Sequence, residues 1–162
     1  MIVYENPWFK VIKQDGYHFI DELNSQTGAA VLALRGDSFV MLEMHRLAQD
    51  NQKTLEIPRG YADDGETSRQ CAARELGEET GYQLNESQFQ LLGYIRPNTA
   101  LLKTRVALYF VDIPEDTQLS HRDNEATNVC LIDASQIGQY LNAGAIEDSF
   151  TLAALCYLKH KA

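Results

Sequence analysis

Glu75, Glu78 and Glu79 fall three and four residues apart, the spacing that brings side chains to one face of an α-helix. Carboxylates so arranged repel one another by a few tenths of a kcal/mol (~0.2–0.5) per pair on a bare helix. Near a helix C-terminus they also oppose the macrodipole. A bound cation removes both penalties. With oxygen ligands only and no neighbouring His or Cys, the set suits a hard ion, Mg2+ in the first place and Mn2+ in the second. An acidic helix face taken alone is more often simply solvated, so the residues around it must decide.

The elements that position these carboxylates are legible on either side. Thr67 followed by Gln70 reads as a capping box, and Gly81 suits a left-handed C-terminal cap, so a helix is expected over 68–80. Ala72, Ala73 and Leu76 give that helix its apolar contact surface, while Gly60 and Gly65 relax the loop before it. Arg74 cannot bind a metal. It is expected to pair with Glu66 or Glu56 and so to fix the loop against the helix.

From Gly60 to Tyr82 the chain follows the pattern G-x5-E-x7-R-E-U-x-E-E-x-G-U, where U is a bulky aliphatic residue, at Gly60, Glu66, Arg74, Glu75, Leu76, Glu78, Glu79 and Gly81. The segment resembles the Nudix box, and fixed spacing at so many positions makes it far more specific than a lone glycine-rich motif. Tyr82 departs from the pattern at a position expected only to pack behind the loop and helix. The resemblance implies an α/β (α+β) Nudix fold, a mixed β-sheet between helices, with an extra N-terminal β-hairpin. It implies metal held by Glu75, Glu79 and Glu78 with the Arg59 backbone carbonyl and the Gly60 loop. It also implies hydrolysis of a nucleoside diphosphate linked to another moiety.

Outside the box, Met44-His45-Arg46 resembles the Q-Y-R stretch of ADP-ribose pyrophosphatases, and Leu55-Glu56-Ile57-Pro58-Arg59-Gly60 their E-L-P-A-G. Pro97 follows Gly81 by 16 positions, the spacing of that subfamily, and Tyr4-Glu5-Asn6-Pro7-Trp8 extends the likeness to the N-terminus. By this resemblance Arg46, Glu56 and Pro97 meet the substrate. Arg59 stands where a small residue is usual, and Asn98-Thr99-Ala100-Leu101-Leu102 replaces a Gly- and Ser-rich loop. The substrate class is therefore read as a nucleoside diphosphate sugar, with ADP-ribose, GDP-mannose and other ADP-sugars within it. A downstream loop Glu serves as base in that subfamily. Glu125, in the polar stretch before the strand at 128–132, is the candidate, with Glu115 as the alternative, and Glu78 and Arg74 complete the catalytic set. His121 reads as an exposed polar residue and Arg105 as a surface ion pair.

Composition sets the frame. At 162 residues and a net charge of −9, the chain reads as one domain, 1–162, without the clustered Lys and Arg that a nucleic-acid or anionic-membrane surface needs. Cys71, Cys130 and Cys156 are odd in number and widely spaced, which suits buried thiols in the cytoplasm. No apolar run reaches membrane-spanning length.

Hairpins are expected at 8–13 with 17–21 and at 29–35 with 38–44, around Asp15-Gly16 and Gly36-Asp37. Strands follow at 55–57, 90–96, 105–112 and 128–132, then helices at 134–141 and 149–159, the last capped by Asp148 or Ser149. Residues 1–26 form an extension whose Trp8, Phe9, Tyr17 and Phe19 point to a homodimer interface. Two other readings remain open: a non-catalytic nucleotide-sensing module, and a hydrolase of dinucleoside polyphosphates or RNA caps.

Overall fold

Strand formation begins at once. In the computed structural model, which describes residues 1–161, β1 (Ile2–Glu5), β2 (Phe9–Gln14) and β3 (Tyr17–Glu22) form an antiparallel three-stranded sheet. Asp15 and Gly16 both adopt positive φ, 51° and 86°, so the two-residue turn matches the twist of β2 and β3. The hairpin expected there gains β1 as a third strand. Its residues are all exposed, so no buried-face alternation announced it.

A seven-stranded mixed sheet holds the rest: β4 (Ala29–Arg35), β5 (Ser38–His45), β6 (Lys53–Glu56), β7 (Arg59–Gly60), β8 (Gln90–Ile95), β9 (Val106–Asp112) and β10 (Asn128–Asp133). The main order is β10-β5-β4-β9-β8, with β4 and β9 parallel and the remaining neighbours antiparallel. β4 and β5 pair only through Ala33–Arg35 and Ser38–Val40. Beyond that point β6 takes over the edge of β5, from Leu42 to His45, and β7 that of β4, at Ala29 and Ala30. The connecting Pro58 carbonyl accepts from Val31 N at 2.8 Å. The seam between β4 and β5 is thus opened by residues 53–60, which delivers Glu56, Arg59 and Gly60 to the middle of the sheet.

Both faces of the sheet are covered, which explains the unbroken apolar run of β4. Ala29, Val31 and Ala33 pack with Cys71, Ala72 and Leu76 of α1 (Ser68–Thr80), together with Tyr82 and Phe89. Ala30 and Leu32 face the other way, against Ile137 of α2 (Ile137–Asn142), Ile146, and Ala154 of α3 (Ser149–Lys161). This is the mixed sheet between helices that the sequence implies. Residues 134–136 form a 3-10 turn where the helix was expected to begin. Of the two caps considered for α3, Asp148 makes the bond: its Oδ2 accepts from Thr151 N and Oγ1, both at 2.9 Å. Tyr82 is buried against α1, and its hydroxyl takes a hydrogen bond from Arg35 at 3.1 Å, which accounts for an aromatic in an aliphatic position. No helix among the described residues is long and apolar enough to cross a membrane.

Candidate functional site

Helix α1 begins and ends where its caps dictate. Thr67 Oγ1 accepts from Gln70 N while the Gln70 side chain accepts from Thr67 N, and Gly81 closes the last turn at φ 86° with its N–H on the Gly77 carbonyl. The helix lies against β4 and β7, so its inward face meets the inserted strand segment. Glu79 is 2 % exposed and Oε2 accepts from the Arg59 amide at 2.9 Å. Glu75 lies over Gly60, where a Cβ would overlap its carboxylate, so only glycine admits the side chain there.

Arg74 holds the loop to the helix. Its Nε and Nη2 donate to Glu66 at 3.1 and 3.0 Å, and Nη2 also donates to the Tyr61 carbonyl at 2.9 Å. Of the two partners considered for Arg74, the structure selects Glu66. Nη1 draws in Glu75 at 2.8 Å and Glu78 at 2.9 Å. Glu78, expected with the other two carboxylates, is half exposed and turned to Arg74 through the favourable i,i+4 spacing. Among the described residues, no three acidic, His or Cys side chains are grouped so that together they could hold a metal ion. The inward pair is Glu75 and Glu79.

Glu56 is the hub of a second network. Buried, it accepts from Arg46 Nε at 3.3 Å and Nη2 at 2.8 Å, from Arg59 Nη2 at 2.9 Å and from Thr54 Oγ1 at 3.0 Å. These donors outweigh its burial and hold its pKa below the usual carboxylate range. Arg59 also lies over the Phe150 ring at 4.6 Å and 3.9 Å from Asp148, which ties the start of α3 to the inserted strand segment. The Ile57 amide completes that tie on Thr151 Oγ1 at 3.0 Å.

Glu125 reaches the same place from the β9–β10 connection, 56 % exposed, and pairs with Arg46 Nη1 at 3.0 Å. This connection is pinned to the end of α1: Ser120 N and Oγ donate to the Gly81 carbonyl at 2.9 and 3.0 Å, and Asp123 N to the Glu78 carbonyl at 2.7 Å. A cavity of about 340 Å3 joins these groups, lined by Arg46, Arg59, Gly60, Tyr61, Glu75 and Glu125 among others. Pro97 and Glu115 lie outside that lining, Pro97 after β8 and Glu115 near Gly36 at the β4–β5 turn. His121 is exposed as expected. Arg105 stacks on Tyr94, 3.5 Å from the ring centroid, in place of the expected ion pair.

Sequence reasoning missed the Arg59 guanidinium, because the resemblance drew attention to its backbone. It also missed Asp123, whose Oδ1 accepts from Glu125 N at 3.0 Å. A short Asp-Asn-Glu run before a strand was the available signal.

The donor set fits a hard divalent cation. Burial pushes the Glu79 carboxyl up to about 8, against the lowering effect of the Arg59 amide and with further raising by Glu75, Glu125 and Asp123. Burial raises Glu75 as well, although Arg74 opposes it. A buried carboxylate whose ionisation burial and a neighbouring carboxylate both oppose is compensated by a nearby dication. Without metal, Glu79 keeps its proton to about pH 8 when folded but only to about 4.5 when unfolded. The folded state then binds more protons across that window, and stability falls as pH rises through it. In metal-free buffer the Tm of Glu79→Gln should match the parent below the unfolded value of 4.5, exceed it by a margin that grows up to about pH 8, and keep that margin beyond. A difference that stays constant with pH, measured by thermal melts, contradicts the buried-acid account.

Comparison with known proteins agrees with this architecture. The family model described as NUDIX domain matches residues 24–153. The chain is also similar to a protein named Methanol dehydrogenase activator from Bacillus methanolicus, 28% identical over 133 residues, which span 80% of this chain and 70% of that one. With the model covering most of its length, from β4 through the box helix to α3, the chain belongs to the Nudix family.

Proposed function

We propose that the protein is a Mg2+-dependent pyrophosphohydrolase, with Mn2+ as a possible substitute, that cleaves a nucleoside diphosphate sugar to a nucleoside monophosphate and a sugar phosphate. ADP-ribose is the first choice, and GDP-mannose or another ADP-sugar undergoes the same cleavage. The observation that carries this reading is the buried Glu79 with the partly buried Glu75, beside a cavity that Glu75 lines together with Arg46 and Glu125. Glu75, Glu79 and the backbone at Arg59 and Gly60 would hold Mg2+, which when bound neutralises phosphate charge and acidifies water.

The chain's own groups do the rest. Arg74 fixes Glu75 through a 2.8 Å charge-assisted bond. Arg46, itself held by Glu56, presents a guanidinium nitrogen to a phosphate oxygen. Glu125 takes the proton of the attacking water, and its exposure leaves it free to exchange that proton with solvent. A second reading, a regulatory role without turnover, is favoured by the similarity to a protein named as an activator. The intact box carboxylates weigh against it.

The N-terminal sheet suggests a homodimer. Ile2, Val3, Tyr4, Trp8 and Tyr17 are exposed there, an apolar area that a second copy would cover. Sedimentation velocity at micromolar concentration should give a dimer, and Val3→Glu with Trp8→Glu a monomer; a parent chain that sediments as a monomer ends this proposal.

A phosphate-release screen with ADP-ribose, ADP-glucose, GDP-mannose and diadenosine polyphosphates should find Mg2+-dependent turnover of a nucleotide sugar. Glu79→Gln should then lose at least about 100-fold in rate with the fold intact. Glu125→Gln should lower kcat by roughly 100- to 10,000-fold without raising KM. No turnover on any nucleotide substrate would favour the regulatory reading, and a normal kcat in Glu125→Gln would remove that residue as base.

A further inference from the structure

Of the two arginines lining the cavity, Arg46 divides its nitrogens between a buried and an exposed carboxylate. Nε and Nη2 are committed to Glu56, which Thr54 and Arg59 hold in turn. That edge of the guanidinium is fixed. Nη1 is the nitrogen Glu56 leaves over, and it donates to Glu125 Oε1 at 3.0 Å. A carboxylate with so much exposure makes a weak ion pair, which a stronger anion can displace.

We propose that Arg46 Nη1 is a phosphate subsite for which Glu125 is the built-in competitor. A phosphate oxygen and the Glu125 carboxylate require the same donor, so an incoming diphosphate frees Glu125. The released side chain then remains in the cavity that Glu75 also lines. In this arrangement Arg46 is a positioning residue for Glu125, and the contact between them is autoinhibitory. The backbone around Glu125 is tied down: its N–H donates to Asp123 Oδ1, Asp123 N donates to the Glu78 carbonyl, and Arg122 Nη1 donates to the Ala126 carbonyl at 3.1 Å. Exchange therefore needs a side-chain rotation and no movement of the loop.

The role of the freed carboxylate rests on the hydrolase reading, whereas the competition for Arg46 does not. The probe is α,β-methylene-ADP, a diphosphate whose bridge resists hydrolysis, titrated calorimetrically in Mg2+ into the parent protein, Glu125→Gln, Arg46→Lys and the double variant. Lysine keeps a positive charge beside Glu56 and loses the forked nitrogen, so the buried carboxylate is not stranded. Glu125→Gln should bind about 2- to 5-fold more tightly than the parent, the range set by a weak exposed ion pair. Arg46→Lys should bind more weakly, and Glu125→Gln should bring no tightening in its background. The proposal is overturned if Glu125→Gln binds no better, if the gain persists without Arg46, which would mean general charge removal, or if the parent does not bind the analogue. Tightening in a protein that hydrolyses nothing keeps the competition and discards the hydrolase, and hydrolysis without tightening does the reverse.

Discussion

The Glu79 carboxyl is buried beneath the sheet seam and takes one hydrogen bond, from the Arg59 amide. An ionised carboxylate in such a place costs several kcal/mol, of the order of 5, unless a charge answers it. The architecture around it follows from that constraint. β4 and β5 must part for residues 53–60 to enter the sheet. Gly60 must lack a side chain so that Glu75 can lie over it, and the capped helix must present both acids inward. A buried acid with a second carboxylate beside it on the same helix suits a cation, and the fold stability given up at this point would be recovered if one bound.

Around the acids the arginines are distributed with little surplus. Arg74 is shared by Glu66, Glu75 and Glu78, and Arg59 by Glu56 and Asp148. Arg46 alone among the cavity-lining arginines has a nitrogen on an exposed partner. In a protein of net charge −9, this concentrates cationic recognition at one place and leaves the remaining surface unattractive to polyanions. The same ties carry mechanical order: Arg59 binds the inserted strand to Phe150, Thr151 receives the Ile57 amide, and Glu79 takes the Arg59 amide, so the start of α3 and helix α1 are referenced to one backbone segment.

The box helix was legible to the residue, 68–80, because capping chemistry is local: Thr67, Gln70 and Gly81 specify their own bonds. The hairpin of β4 and β5 around Gly36-Asp37 was equally plain. What depended on long-range pairing was not. β1 gave no sign because it buries no residue, and the 3-10 turn at 134–136 arises where Asp133 caps Ser135 instead of a longer helix. Glu78 shares its helix face with Glu75 and Glu79 in the sequence pattern, but that pattern could not show that it stays half exposed and shares Arg74 Nη1 with Glu75. Whether the 119–125 segment moves could not be read from its polar composition, since the carbonyls that pin it belong to Glu78 and Gly81, some forty residues earlier. The pairing of Arg46 with both Glu56 and Glu125 likewise joins three strands' worth of sequence that only the folded sheet brings together.

If Glu75 and Glu79 take a divalent cation, proton uptake and release report on it directly. A Mg2+ titration at pH 7, followed by calorimetry in buffers of different ionisation enthalpy, gives the number of protons exchanged on binding. With the Glu79 carboxyl pushed up to about 8, the account predicts a net release approaching one proton per bound site. Glu79→Gln should bind more weakly and release few protons. Mg2+ binding with no proton release, or with the same affinity and stoichiometry in Glu79→Gln, would contradict the account.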